Sequence, residues 1–403
     1  MKLLVLFLFL TGAIAATLFF IQGVVHILRH GAEQYKKRYH NRTLVLGKPF
    51  RLTRADNNPI LQPTGFPWEA IGVFNPAAVY IDGTVHLFYR AVGGDGVSRI
   101  GYAKSEDGFH FDYRLPYPIY GVRGGDDERA AAKRRRYNPD LYRELMASGG
   151  SWSGTEDPRA VVIDGRIYLS FSVFNNWDSL RIGISSLSVD DMLRERWNWA
   201  RPTFLSAMHE VQKNWVVFPK KIRGKFAVFH GLRAGTRRRA VIEYLDSLDT
   251  EPEEYIKSDA SFRNNPSQFD DNVWETRIRG AAAPPIETPE GWLLLYHAND
   301  AREPHKYKLG AMLLDKENPE KVIARAAYPL LEPDMPYENG AKPGIVYATG
   351  AIVKDEQLIV YYGGGDNVIC AAAAPLTDIL KSMRERTRPA FPIRVRNLIP
   401  SLS

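Results

Sequence analysis

Gly154-Thr155-Glu156-Asp157-Pro158-Arg159 sets two adjacent carboxylates beside a proline and an arginine, directly before the apolar run 160–163. A single carboxylic acid among cations can hand a proton to a leaving oxygen while guanidinium and ammonium groups hold an anion, which suits transfer at an anomeric carbon. The same residues could equally start a turn, because Asp-Pro fixes the chain direction. What decides between the two is the set of elements that positions Asp157.

Those elements repeat. Five units each run strand, Gly or acidic turn, second strand with an aromatic or polar end, polar junction and third strand, with markers at Gly83, Gly165, Gly224, Gly291 and Glu356 roughly 60 to 80 residues apart. Units that cannot bury their sheet faces alone are best closed into a ring, so the expectation is an all-β, five-bladed β-propeller over residues 49–380. A β-sandwich would not repeat so long a unit in one internal order. Asp157 lies eight residues before Gly165 and Asn75 eight before Gly83, so both fill one slot in neighbouring units. Tyr89-Arg90, Phe171-Ser172, His230-Gly231, His297-Ala298 and Tyr362-Gly363 end the matching second strands. Equivalent positions surround one axis. Asn75, Arg90, Asp157, His230, His297 and Asp366 are therefore expected to converge, with Glu156 and Arg159 fixing the geometry and charge of Asp157. The segments 121–153 and 251–279 interrupt the pattern as long insertions.

The 403 residues are 45% apolar, 12% aromatic and 25% charged, the composition of a folded chain rich in strands. The net charge of +7 comes from local runs such as Lys36-Lys37-Arg38 and Arg237-Arg238-Arg239, without any nucleic-acid-binding motif, so no nucleic acid is expected as partner. Cys370 stands alone and cannot form an internal disulfide. No HExxH, paired Cys/His spacing or EF-hand pattern is present, and Gly363-Gly364-Gly365-Asp366 lacks the Lys-Ser/Thr of a P-loop, so neither metal nor cofactor is expected. Residues 3–28 contain no Asp, Glu, Lys or Arg, which predicts an N-terminal transmembrane helix over 1–28 followed by a basic linker over 29–48. Ala13-Ile14-Ala15 resembles a signal cleavage site, but the apolar run continues beyond it, favouring an uncleaved anchor. Arg29, Lys36, Lys37, Arg38 and Arg42 then place the globular part on the cytoplasmic side of the membrane, whereas a cleaved signal would export it. A short helix at 379–386 and an irregular tail within 381–403 complete the chain.

Over residues 50–380 the sequence resembles glycoside hydrolase family 130, the β-mannoside phosphorylases and mannosidases. The resemblance rests on Asn58-Pro59-Ile60-Leu61, Val73-Phe74-Asn75-Pro76-Ala77, Tyr89-Arg90-Ala91, Gly154 to Arg159, Phe218-Pro219-Lys220-Lys221-Ile222, Pro284-Pro285-Ile286, Gly291 to His297, Tyr337-Glu338 and Tyr361-Tyr362-Gly363. It implies an inverting reaction on a β-mannoside oligosaccharide or glycan, with Asp157 as general acid acting through the sugar 3-hydroxyl. Inorganic phosphate, the one co-substrate, would attack C1 to give α-mannose 1-phosphate. The resemblance assigns Asn75, Arg90 and Asp366 to the mannose and Lys213, His297 and Tyr307 to the phosphate. It also has departures. His230-Gly231-Leu232 stands where the phosphorylases carry His-Arg-Pro, leaving Arg233 as a stand-in; Tyr296-His297-Ala298 replaces Tyr-His-Gly, and Gly344-Ile345 replaces Asn-Val. A hydrolase of the same family would need no phosphate arginine but would need a base for water, with Glu243 and Glu275 as candidates at a carboxyl separation of roughly 6.5–9.5 Å. A non-catalytic glycan-binding propeller is the reading from another class; the retained Asp157, Asn75, Arg90 and Asp366 weigh against it.

Overall fold

The chain divides between Pro49 and Phe50, and the computed structural model describes residues 50–121, 151, 153–175, 180–207, 212–233, 239–256, 273–275, 277–300 and 302–385. After β1 (Thr53–Arg54) comes a first run of strands, β2 (Gly72–Ile81), β3 (Thr84–Val92), β4 (Val97–Ser105) and β5 (Tyr113–Arg114). The second is β6 (Ser153–Ile163), β7 (Arg166–Asn175), β8 (Leu180–Ser188) and β9 (Thr203–Phe204), and the third β10 (Val216–Val217), β11 (Phe226–Arg233) and β12 (Arg239–Leu245). The fourth is β13 (Arg277–Ala281), β14 (Ile286–Thr288), β15 (Gly291–Asp300), β16 (Glu303–Leu314) and β17 (Val322–Arg325). The last is β18 (Val346–Lys354), β19 (Gln357–Gly364) and β20 (Val368–Pro375), whose edge strand is β1.

Tight turns fix the register of most runs. Asp82-Gly83, Asp164-Gly165, Arg223-Gly224 and Asp355-Glu356 hold both residues at φ between 48° and 80°, the left-handed pair whose twist matches the flanking strands. Ile81 therefore faces Thr84, Ile163 faces Arg166 and Lys354 faces Gln357. The fourth run differs: Thr288 pairs with Gly291, so Gly291 opens β15 rather than lying in the turn.

Apolar residues from successive runs pack together. Phe88 and Ile100 meet Leu169 and Phe171; Ile182 and Ile184 meet Trp215 and Val228; Phe218 and Phe229 meet Trp292 and Leu294. Leu295 and Leu309 meet Val360 and Tyr362, and Ile359 and Tyr361 return to Leu87 and Tyr89 of the first run. Strands between two such layers are buried on both faces, which is why all ten residues of β15 are buried and Trp292–Leu295 reads as a continuous apolar run.

Two expectations need correction. The fold is all-β, but the five-bladed ring is not confirmed by the hydrogen bonding, which among the described residues makes four sheets: the first two runs form one eight-stranded sheet through a parallel contact of Val97 with Ser153 and Ser98 with Gly154. The transmembrane helix is likewise not supported. Its residues lie outside those described, and no helix among the described residues is long and apolar enough to cross a membrane. α1 (Val189–Leu193) and α2 (Leu376–Glu385) have five and ten residues, against the roughly 20 that a span needs. The membrane partner and the cytoplasmic placement, both drawn from that helix, are withdrawn with it. The expected C-terminal helix starts three residues early, at Leu376, and turns Ile379, Leu380 and Met383 into the core.

Gly154 makes the joint between the first two runs possible. It holds φ 106°, and a Cβ there would lie 2.2 Å from the Ser98 carbonyl oxygen. Gly154→Ala is expected to destabilise the fold by about 1–3 kcal/mol, the range for a backbone forced into a sparsely populated region. The check is urea unfolding: the midpoint should fall while the slope stays constant, and an unchanged midpoint would refute the role given to this glycine.

Candidate active site

In β2, Phe74 pairs with Arg90 and Ala77 with Phe88, so Asn75 and Pro76 together oppose Tyr89. In β6, Glu156 pairs with Ser172 and Arg159 with Ser170, so Asp157 and Pro158 oppose Phe171 in the same way. Each bulge opens on a left-handed residue, Asn75 at φ 50° and Asp157 at φ 49°. Asn and Asp tolerate that conformation better than other side chains, and bulges of this kind re-aim a side chain. The two bulges turn toward each other: Asn75 Nδ2 donates to Asp157 Oδ1 at 2.8 Å.

The second strand of the first run supplies the charge. Arg90, 2% exposed, donates from Nη1 to Asp157 Oδ1 at 3.0 Å and from Nη2 to Glu156 Oε1 at 2.8 Å, so one guanidinium bridges both carboxylates. It also donates to Ser98 Oγ and Ser151 Oγ, each at 2.9 Å, and its guanidinium carbon lies 4.8 Å from the centre of the Phe74 ring. Ser151 donates to Glu156 Oε1 at 2.6 Å, and Lys213 Nζ approaches Glu156 Oε2 at 3.8 Å. Burial alone would raise the pKa of Asp157, but Arg90, Lys213 and Arg159, with the Asn75 hydrogen bond, outweigh it and hold the carboxyl well below its usual range. For Glu156, burial wins over Arg90 and Lys213, and its pKa rises.

Arg159 connects this cluster to the other side of the site. It donates to the carbonyls of Asp157 and Ala282 and, at 2.9 Å, to Asn214 Oδ1, which also accepts from the Tyr347 hydroxyl at 2.5 Å. Tyr347 stacks on His297 with centroids 4.1 Å apart, and its ring lies 5.9 Å from that of Tyr307. Burial, then the Arg159 charge, pushes the His297 imidazole down to about 3, so it is neutral near pH 7. Asp366 sits at φ 51° and pairs with Lys342 at 3.0 Å, and its charge acts on Arg90.

The family model described as beta-1,4-mannooligosaccharide phosphorylase matches residues 134–385. The 1,2-beta-oligomannan phosphorylase of Thermoanaerobacter sp. (strain X514) is 34% identical over 340 residues, 82% of this chain and 99% of that protein. The chain belongs to glycoside hydrolase family 130. A beta-1,2-mannobiose phosphorylase of the same strain is also 34% identical, over 80% of this chain and 97% of its own length. The solved beta-1,2-mannobiose phosphorylase of Listeria innocua superposes with a TM-score of 0.59 at 21% identity, covering 83% of this chain and 99% of that one, a likeness of fold.

In this family 130 enzyme, Asn75, Arg90 and Asp157 are in direct contact, and Asp366, Lys213, His297 and Tyr307 reach them through Glu156, Asn214, Tyr347 or charge. Glu243 and Glu275 are not brought in. Glu243 is exposed on β12, opposite Val228, and Glu275 is buried between Arg325 at 3.0 Å and the Tyr296 hydroxyl at 2.5 Å, on the face of β15 opposite His297. His230 packs 5.2 Å from the Trp215 ring, and the side chain of Arg233 lies outside the described residues. Ser98, Ser151, Asn214, Tyr347, Lys342 and Arg279 were missed because isolated hydroxyls, amides and cations carry no motif. Only the bulge slot of Arg279 could have marked it.

The depressed His297 pKa makes a prediction about stability. The unfolded imidazole takes a proton below about 6.5, while the folded one stays neutral down to about 3. The unfolded state then binds more protons, so the contribution of His297 is complete above pH 6.5 and is lost as pH falls toward 3. His297→Gln should flatten the decline of the urea midpoint across that window; a decline parallel to wild type would refute the burial of a neutral ring.

Proposed function

We propose that this enzyme phosphorolyses β-1,2-linked mannooligosaccharides with inversion, releasing α-mannose 1-phosphate. The observation that carries the reading is the bulge-to-bulge contact of Asn75 with Asp157, clamped by buried Arg90, beside a cation-rich second half of the site. The linkage follows the two Thermoanaerobacter relatives, matched over nearly their whole length and named for β-1,2 substrates.

Asn75, Arg90 and Asp366 hold the terminal mannose. Lys213, His297 and Tyr307 gather phosphate on the face of C1 opposite the leaving sugar, offering an ammonium, an imidazole and a hydroxyl to a dianion. A phosphate oxygen forms the new bond to C1 as the C1–O bond to the leaving sugar breaks. The Asp157 proton passes through the 3-hydroxyl to that departing oxygen. Inorganic phosphate is the co-substrate, and no step calls on a metal. With water instead of phosphate a base would be needed, and the positions of Glu243 and Glu275 do not favour either.

A carboxyl held below its usual range is a poor proton carrier until its cations are shared. Bound phosphate draws on Lys213, one of the charges that depress Asp157, so the acid should regain its proton in the ternary complex. The group must be protonated to act, so activity falls as pH rises through its pKa. The falling limb of kcat is therefore expected at higher pH than that of kcat/KM for phosphate. Coincident limbs would contradict this coupling.

The direct test is incubation with β-1,2-mannobiose, with and without phosphate. Mannose 1-phosphate formed only with phosphate is the expected result, and Asp157→Asn should lower turnover by about 10²–10⁴-fold while still binding mannobiose. Free mannose at equal rates in both incubations would overturn phosphorolysis in favour of hydrolysis. Binding without turnover in the wild type would overturn catalysis itself.

A further inference from the structure

The fourth run carries a bulge in the same inner position as those that hold Asn75 and Asp157. In β13, Ile278 pairs with Ala298 and Gly280 with His297, leaving Arg279 as the extra residue between them. A bulge there turns Arg279 out of the ladder, as the bulges of β2 and β6 turn out Asn75 and Asp157. Its guanidinium carbon lies 5.3 Å from the centre of the Tyr307 ring, within cation–π range, and its charge reaches His297. Its backbone carbonyl accepts Asn214 Nδ2 at 2.9 Å, and Asn214 also takes Arg159 and Tyr347. Arg279 is thereby anchored by its main chain to the site, while its half-buried side chain rests on a residue assigned to phosphate.

The other cations are engaged. Arg90 bridges Glu156 and Asp157, Lys213 approaches Glu156, Arg159 is taken by carbonyls and Asn214, and Lys342 pairs with Asp366. Among the described residues, no carboxylate lies within ion-pair reach of Arg279. A planar guanidinium fork not committed to a carboxylate, beside a tyrosine and a neutral imidazole, matches two oxygens of a phosphate.

We infer that Arg279 is the arginine of the phosphate subsite, reaching in from the fourth run where position 231 of the third is glycine. The inference rests on the phosphorolytic reading above. It predicts a fault confined to one substrate: Arg279→Ala should raise the KM for inorganic phosphate by about 10–100-fold, the loss expected for a charge-assisted contact, and leave the KM for β-1,2-mannobiose within about two-fold. Arg279→Lys, which keeps the charge and loses the fork, should fall between. In the synthetic direction, the KM for α-mannose 1-phosphate should rise in Arg279→Ala and that for the acceptor mannose should not.

The same assays separate the two ideas. A wild type whose turnover does not depend on phosphate would overturn both. A phosphate-dependent wild type with an unchanged phosphate KM in Arg279→Ala would overturn only the assignment of Arg279. Equal rises in both KM values, with a lowered urea midpoint, would reduce Arg279 to a structural role and overturn the inference as well.

Discussion

A guanidinium that is 2% exposed must find acceptors for its N–H groups and an opposite charge, or the fold cannot bury it. Arg90 meets that demand with Ser98, Glu156 and Asp157 from the first two runs of strands and with Ser151, just before the second. The joint between those runs is formed by the same segments, since Ser98 pairs with Gly154 and Gly154 stands two residues before Glu156. Holding the charge and joining the sheets are thus one constraint. It explains why two carboxylates can stand side by side in the core: each has its own nitrogen of one cation.

Much of this was legible from spacing. Asn75 and Asp157 share a slot eight residues ahead of a turn glycine, and the turns at Asp82-Gly83 and Asp164-Gly165 fix the register that makes the slot equivalent. Asn-Pro and Asp-Pro suit a bulge: the first residue accepts a left-handed φ, and the second has no N–H to lose from the ladder. Local rules of this kind survive folding because they act within a few residues. The apolar runs of the buried strands were legible for the same reason.

What was not legible depends on contacts between distant segments. No local signal distinguishes five separate sheets from four, because the parallel contact at Val97–Ser98 and Ser153–Gly154 spans the long insertion between them. Asn214 and Tyr347 matter only through partners from distant segments, and Ser151 joins its near neighbour Glu156 to the distant Arg90. Glu275 misled for the opposite reason. As a carboxylate it was a candidate base for water, whereas the fold buries it against Arg325 and Tyr296 as a structural ion pair. The apolar N-terminal run is a strong local signal of another kind, and it falls outside the described residues.

The balance of charge bears on whether phosphate or water completes the reaction. The groups named around Asp157 include Arg90, Arg159, Lys213, Arg279 and Lys342 as cations against Glu156, Asp157 and Asp366 as anions, with His297 neutral. Cations thus exceed carboxylates by two. An excess of this sign in a partly buried site raises the cost of the resting state and favours whatever anion can enter, and phosphate at neutral pH carries up to that charge. Water would leave the excess standing and would still need a base. In the proposed mechanism phosphate offsets the charge, supplies its own nucleophilic oxygen, and would relieve the depression of Asp157, the proposed acid, in the same binding event. One ligand then meets three separate demands of the site, and that convergence is the physical case for phosphorolysis.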